Sequence, residues 1–507
     1  MNRTTLSLIG AAAGLVAVTG VAALTAPSSS SADGGGRSGG AAASAPVERS
    51  TLACPSPTSS EVGETTYTGY TPGARGAAGW GTARLLPLGA PPGDGGRGGR
   101  ASGGAVVPLT EPGKPVTATV NRSDAPALAG TADGGLAPGW TVQQTTRVDA
   151  GSGRGLQGLT CAPPDTEFWF PGASTAAARQ DYAHLTNPDD RPAVVDLELY
   201  GADGRLDTPT GESVTVPARS SVPVLLSTLT TERTADLTLH VLARAGRVAA
   251  AVQAADARQG GDWLTASAAP ATGAVLPGIP ADATSVRLVL FAPRAADADL
   301  KVRLAGPTGS FTPAGHGTVH VKSGMTTAVD LGDVTRGEAG SLVLTPDAGE
   351  GAAGQVVAAL QVTRGRPGRQ ETAFIPAAAP VERRATAADN RAAGGSALSL
   401  AAPERSATVR VTASEGSAGG TAVSRTYTVK AGATLAVAPP RPASGRGAYA
   451  LTVERIAGGP LYASRTLAES HGGVPMFTVQ TLPDDRGTVA VPDTERDLSL
   501  LLDATDD

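Results

Sequence analysis

Aromatic side chains are scarce in this sequence: Phe, Tyr and Trp together make up 3% of its 507 residues. There is no basic patch with aromatics interleaved in it, so nothing electrostatic points to nucleic acid. Lysine stands at only four positions (114, 301, 322 and 430), and the net charge of −5 is too mild to dictate a partner. With two cysteines and no histidine or further cysteine close to them, a structural metal site is excluded. No G-x-S-x-G, no H-E-x-x-H, no Walker loop and no G-x-G-x-x-G between strand and helix occurs. The expectation is a protein that is not an enzyme and takes no cofactor. Long amphipathic helical patterns are missing as well.

What is plentiful is glycine (66) and proline (39), with short runs of Val, Leu and Thr between Gly, Pro and Asp turns. That is the signature of an all-β chain, and the length allows about three to five domains.

The N-terminus carries Arg3 and then an uncharged run from Leu6 to Ala26. At about 1.5 Å per residue such a run reaches the ~30 Å of a bilayer core. Two readings stay open: a transmembrane helix that keeps the protein in the cell membrane as a single-pass anchor, and a signal segment cleaved after Val21-Ala22-Ala23, which would make the protein secreted. Both place most of the chain outside the cytoplasm. Residues 27–50, built of Ser, Gly and Ala, read as a flexible linker.

Cys54 in "LACPSP" and Cys161 in "LTCAPP" sit in matched Pro-flanked contexts. A catalytic thiol would need a positioned base; in an oxidising compartment the pair reads as a disulfide.

A unit recurs. Pro188, Pro293 and Pro403 each follow an apolar stretch, 105 and 110 residues apart, and Gly139, Gly246, Gly354 and Gly459 recur at spacings of 107, 108 and 105. Each glycine reads as the centre of a hairpin. Alternating segments such as "DLKVRLA" and "ATVRVTA" put Val and Leu on one face and charge on the other. A ~105-residue unit of about seven strands is the size of an immunoglobulin-like β-sandwich. The expected architecture is a tandem array of four: 51–165 (divergent, closed by the disulfide), 166–268, 269–370 and 371–482, with 483–507 an acidic C-terminal tail.

Phe168, Trp169, Phe170, Trp263, Phe374 and Phe477 precede the Pro-rich breaks between copies. They read as plugs between neighbouring sandwiches or as completing a core, or alternatively as the lining of a groove for glycan or peptide. The five histidines (184, 240, 316, 320 and 471) are scattered and read as surface residues. Asp189 with Asp190, and Asp297 with Asp299, fall in turns, where Asp is favoured for local hydrogen bonds; a calcium site there is the lesser alternative.

The stretches "FWFPG", "LTNPDDRPAVVDLELYGADG", "VTVPARSSVPVLL" and "GRVAAAVQ", with the ending "VQTLPDDRGTVAVPDTERDLSLLL", resemble a family of actinobacterial secreted or membrane-anchored proteins known only as a domain of unknown function. The resemblance brings no catalytic residue with it. It implies a place in the cell envelope and a non-enzymatic role. Two functions follow as expectations: a scaffold or binding module for an envelope protein or cell-wall glycan, or an accessory subunit or unusual hydrolase in cell-wall polysaccharide metabolism.

Overall fold

The computed structural model describes residues 43–73, 81–89, 105–347, 354–391 and 395–491. Among them no α-helix occurs; strands carry the fold, with three single-turn 3₁₀ segments. The apolar run Leu6–Ala26, the linker as far as residue 42, most of the Gly-rich insertion and residues 492–507 lie outside the described residues. Among the described residues no helix is long and apolar enough to cross a membrane. The chain forms two compact units: residues 45–489, and a small one of which only 43–44 and 490–491 are described.

Alternation makes the strands. In Ala298–Ala305 every second residue is buried, with Asp299, Lys301 and Arg303 facing out, the period-two pattern of a half-buried strand. The second sandwich shows the unit most fully. Its eight main strands are Glu167–Ala173, Arg179–Asn187, Ala193–Gly201, Val214–Val216, Ser220–Leu225, Leu237–Ala245, Ala249–Asp256 and Gly260–Leu264. One sheet runs in the order first, sixth, third, fourth, and the other fifth, second, seventh, eighth. The same order returns in the third and fourth sandwiches; in the first, Leu109 bridges Ala83 where a fourth strand would lie. In an immunoglobulin constant domain ABED faces CFG. The present sheets share the third–sixth and second–fifth pairings with it, while the first strand here lies beside the sixth and the seventh beside the second.

The landmark glycines do occupy one equivalent place, between the sixth and seventh strands of each copy. They are not hairpin centres. The sixth strand belongs to one sheet and the seventh to the other, so each glycine marks a crossing between sheets; the true hairpin joins the seventh strand to the eighth. Gly139 and Gly246 take φ of 76° and 72°, but Gly354 and Gly459 do not have positive φ. What Gly246, Gly354 and Gly459 share is crowding: a Cβ would meet Ala193, Asp297 and Arg405 at 2.3 to 3.1 Å. Those partners sit in or just after the second-to-third crossing, the place marked by Pro188, Pro293 and Pro403. Two crossings therefore touch at one end of each sandwich, and the links between sandwiches lie at that same end.

Three boundaries differ from expectation. The expected break at 370/371 falls inside Arg369–Pro376, which pairs along its length with Val357–Arg366 and so completes the third sandwich. The end of the expected flexible linker is strand, Ala43–Pro46 and then Arg49–Cys54. The start of the expected acidic tail is structured too: Asp484 accepts the backbone N–H groups of Arg383 and Arg384, and Asp485 pairs with Arg384 at 2.5 Å. Strand Thr488–Val491 pairs with Ala43–Pro46, and Val47 N–H donates to Gly487 O at 3.1 Å.

The expected tandem array closes on itself. The first sandwich packs on the second, the second on the third, the third on the fourth, and the fourth returns to the first. Each sandwich has its own core. The contacts between them differ in character. The second meets the third through Trp169, Tyr200 and Phe291, whereas the fourth meets the first through small apolar clusters, Tyr70 with Ala388 and Ala450 and Leu156 with Leu467 and Met476, and through buried polar groups, with Thr145 donating to Asp389 at 2.7 Å and Arg465 to Gln143 at 2.9 Å. The Cys54–Cys161 bond is formed, S–S 2.05 Å, and ties the first strand of the first sandwich to the residue following its eighth. In the chain-entropy picture a loop of this length stabilises by about 4–5 kcal/mol.

Candidate functional site

The four eighth strands, Gly155–Thr160, Gly260–Leu264, Arg369–Pro376 and Val474–Thr481, pack on one another around the centre of the ring. Close approach there needs a residue without a side chain: a Cβ on Gly158 would lie 2.6 Å from Thr478 and 2.8 Å from Gln480. The seam is polar and buried. Gly158 N–H donates to Asp262 Oδ1 at 2.9 Å, and the Asp262 carboxyl is held well above the usual carboxylate range by burial. Glu371, fully buried, has its carboxyl pushed up to about 8 by the same cause, against the pull of the Arg154 guanidinium 3.6 Å away. Arg465 lies equally deep; burial lowers its guanidinium to about 10, and it donates to Gln143 and Gln480.

At the end of this seam where the links converge is a groove of about 490 Å³, within the range of small-molecule sites. Its floor is the outer face of a sheet of the second sandwich. Ala183 and Leu185 point into that sandwich's core, so the alternate residues His184 and Thr186 point out, beside Ala249 and Ala251 of the paired strand. The walls come from the links: Ala162 and Pro163, then Thr265–Pro270, then Ala377–Ala379, with Thr481, Pro483 and Arg486 from the last sandwich. Small apolar side chains dominate. The charged side chains lining it, Asp165, Glu167 and Arg486, are all exposed.

Among the residues lining it, Trp169 Nε1 and Gln480 Nε2 are buried without a hydrogen-bond partner, and buried His184 has the Gln253 side chain as its neighbour; Trp169 and His184 project from opposite sheets of the second sandwich. Burial holds the His184 imidazole down at about 4, so it is neutral at ordinary pH. The amide of the neighbouring Gln253 spends its N–H groups on Pro57 O and Gln157 Oε1. Gln480 turns its oxygen to Arg465, which leaves its NH₂ over.

The six aromatics are all buried. Phe168 and Trp169 line the groove, and Phe170 fills the core beneath. Trp263 stands edge-on to His184 at 5.1 Å, with Leu159 of the first sandwich against it. Phe374, from the third sandwich, joins the core of the second, and Phe477, from the fourth, joins the core of the third under Arg364. They lie on strands rather than in the breaks between copies. Trp169 is stacked on His240 at 3.7 Å and on Phe291 at 5.3 Å, so it presents no open ring face for a sugar.

Two histidines depart from the expected surface role. His184 is buried as described, and buried His240 bridges Glu198 (2.9 Å) and Glu167 (3.2 Å). The paired acids are engaged locally, Asp189 with Arg247, Asp190 with Arg219, and Asp299 with His320. Among the described residues no group of three or more His, Cys, Asp or Glu is placed to hold a metal ion. Sequence reasoning passed over His184, Gln480, Asp262, Glu371 and Arg465. The one available signal was "YAHLTN", where a polar residue alternates with Ala183 and Leu185 in a second strand; which face would be covered depended on ring closure.

A family model described as a family of unknown function (DUF5719) matches residues 116–440, from the fifth strand of the first sandwich to just past the fifth strand of the fourth. No curated protein and no solved structure matches the chain.

Proposed function

The chain belongs to this family of unknown function, and on that premise we propose that it is a non-catalytic binding module of the cell envelope, held outside the cytoplasm, with the axial groove as its binding site. The observation that carries the reading is the construction of the groove: the links between sandwiches, the least regular parts of the chain, are gathered on one side of a rigid scaffold, where binding residues characteristically sit. The buried disulfide, whose type persists in oxidising compartments, and the uncharged run Leu6–Ala26 support the extracytoplasmic address and the membrane as partner.

The test is a photo-crosslinking side chain placed in cells at Ala269, in the groove wall, and at Arg425, on an exposed strand of the fourth sandwich. Discrete adducts from Ala269 alone, in the envelope fraction, are expected. Identical patterns from both positions, or recovery of the protein in the cytoplasm, would overturn the reading. Asp165 and Glu167 at the groove rim favour a second reading, a hydrolase of cell-wall polysaccharide. Glu167 is already committed to His240, and the neighbouring tryptophan offers no platform. Reducing-sugar release from wall polysaccharide that disappears in Glu167→Gln would favour the hydrolase over the module.

A further inference from the structure

We infer that a second pocket, between the first and second sandwiches, binds a single uncharged sugar residue. It lies apart from the axial groove, and the inference does not rest on that groove being a binding site.

The floor of this pocket is the same outer sheet face of the second sandwich that carries His184, further along the strands. Tyr182 points outward because Ala183 and Leu185 point into the core, and Gln253 stands directly opposite it on the paired strand. The first sandwich supplies the other side, with residues 58–60 and the hairpin turn at 150–153. Four observations name the ligand. No Asp, Glu, Lys, Arg or His lines the pocket, so an ion entering it would lose water and meet no opposite charge. The polar lining is hydroxyl and carboxamide: Ser59, Ser60, Ser152, Gln157 and Gln180, with the phenol of Tyr182. Each of these groups both donates and accepts, as every hydroxyl of a sugar does, so the two sets can pair without leaving a donor or acceptor over. One carboxamide is fixed in advance. Gln157 is 1% exposed; its Nε2 donates to Gly153 O at 2.6 Å and its Oε1 accepts from Gln253 Nε2 at 3.0 Å. It still has a second N–H and a second lone pair, and needs no reordering to offer them. The third observation is the tyrosine ring. Half-buried Tyr182 stacks on no other aromatic ring among the described residues, unlike Trp169, so part of its apolar body is open to the C–H face of a sugar. The fourth is size. At about 240 Å³ the pocket falls below the ~300 Å³ at which sites for drug-sized molecules begin, which suits one ring rather than a run of glycan chain.

The experiment is saturation-transfer NMR on the purified full chain with the methyl glycosides of glucose, galactose, mannose and arabinose. Glucuronate and cyclohexylmethanol serve as the charged and the apolar control. Saturable binding of at least one glycoside is expected, with neither control binding. Ser152→Trp, at an exposed turn position where the fold tolerates bulk, should abolish it. Tyr182→Ala removes the ring and should weaken binding roughly tenfold. The trisaccharide of the sugar that binds should compete no more than about threefold better than the single glycoside, because one ring fills the pocket. Failure of all four glycosides, binding that survives Ser152→Trp, or equal binding of either control would overturn the inference. A trisaccharide that binds where no single sugar does would overturn it as well. Crosslinks from Ala269 report on the axial groove alone, so the binding module proposed above and this pocket stand or fall separately.

Discussion

At the scale of single residues, this protein keeps ionisable groups where water does not reach, and the two clearest cases pull in opposite directions with pH. Glu371 holds its proton up to about pH 8 in the folded state, whereas an unfolded glutamate releases it near 4.5. Between those values the unfolded chain binds fewer protons, so folding loses stability as pH rises, by about 1.4 kcal/mol per pH unit at the steepest. His184 does the reverse. Its folded value of about 4 lies below the ordinary 6.5, so stability is lost as pH falls from 6.5 towards 4. From these two groups alone the slopes offset each other between about 4.5 and 6.5, and stability declines on either side. Urea melts across pH should then show Glu371→Gln more stable than wild type by a margin that grows from pH 5 to pH 8. A constant margin would mean that the carboxyl is ionised throughout. His184→Phe should remove the decline on the acid side and leave the alkaline one, in the same melts.

At the scale of strands, the sequence was legible wherever the information was local. Alternation in "DLKVRLA" and the crossings marked by Pro188, Pro293 and Pro403 are properties of a few adjacent residues, and the strands follow them. The partner of a strand is not a local property. Nothing in "VERIAGGPLYASR" tells that the strands before and after Gly459 belong to different sheets, because a hairpin and a sheet-to-sheet crossing both demand a turn and apolar flanks. The eighth strands suffered most from this ambiguity. "DWL", "TAFIP" and "MFTVQT" carry aromatics before prolines and look like connectors, yet they are the innermost strands of the molecule. Phe477 shows what that position means, since it is fully buried in the core of a sandwich other than its own. Phe477→Ala should cost about 3–5 kcal/mol. Amide exchange should rise in Ala283–Phe291 and Val357–Arg366 of the third sandwich as much as around residue 477. Exchange that rises in the fourth sandwich alone would contradict the shared core.

At the scale of the whole molecule, the count of four sandwiches was readable from the period, while their closure into a ring was not. Closure depends on the Gln143 side chain accepting from the Asp389 N–H and from Arg465, 246 and 322 residues further along the chain. A ring of this kind should not come apart into working pieces. Residues 271–377 expressed alone would expose Phe291, Val357 and Phe374 and lack Phe477 and Val479. That fragment is expected to give no cooperative melt, while the full chain melts in a single transition by circular dichroism. A fragment with a sharp transition of its own would mean that the sandwiches are independent. Between the fourth sandwich and the first the ring is not covalently continuous, and besides the buried contacts the two are joined by Val47 N–H donating to Gly487 O. In mechanical terms that meeting is a clasp. Tension applied between Ala43 and Val491 is borne first by the short ribbon those residues end and by the hydrogen bond beside it, and only then by the buried contacts of Gln143 with Asp389 and Arg465.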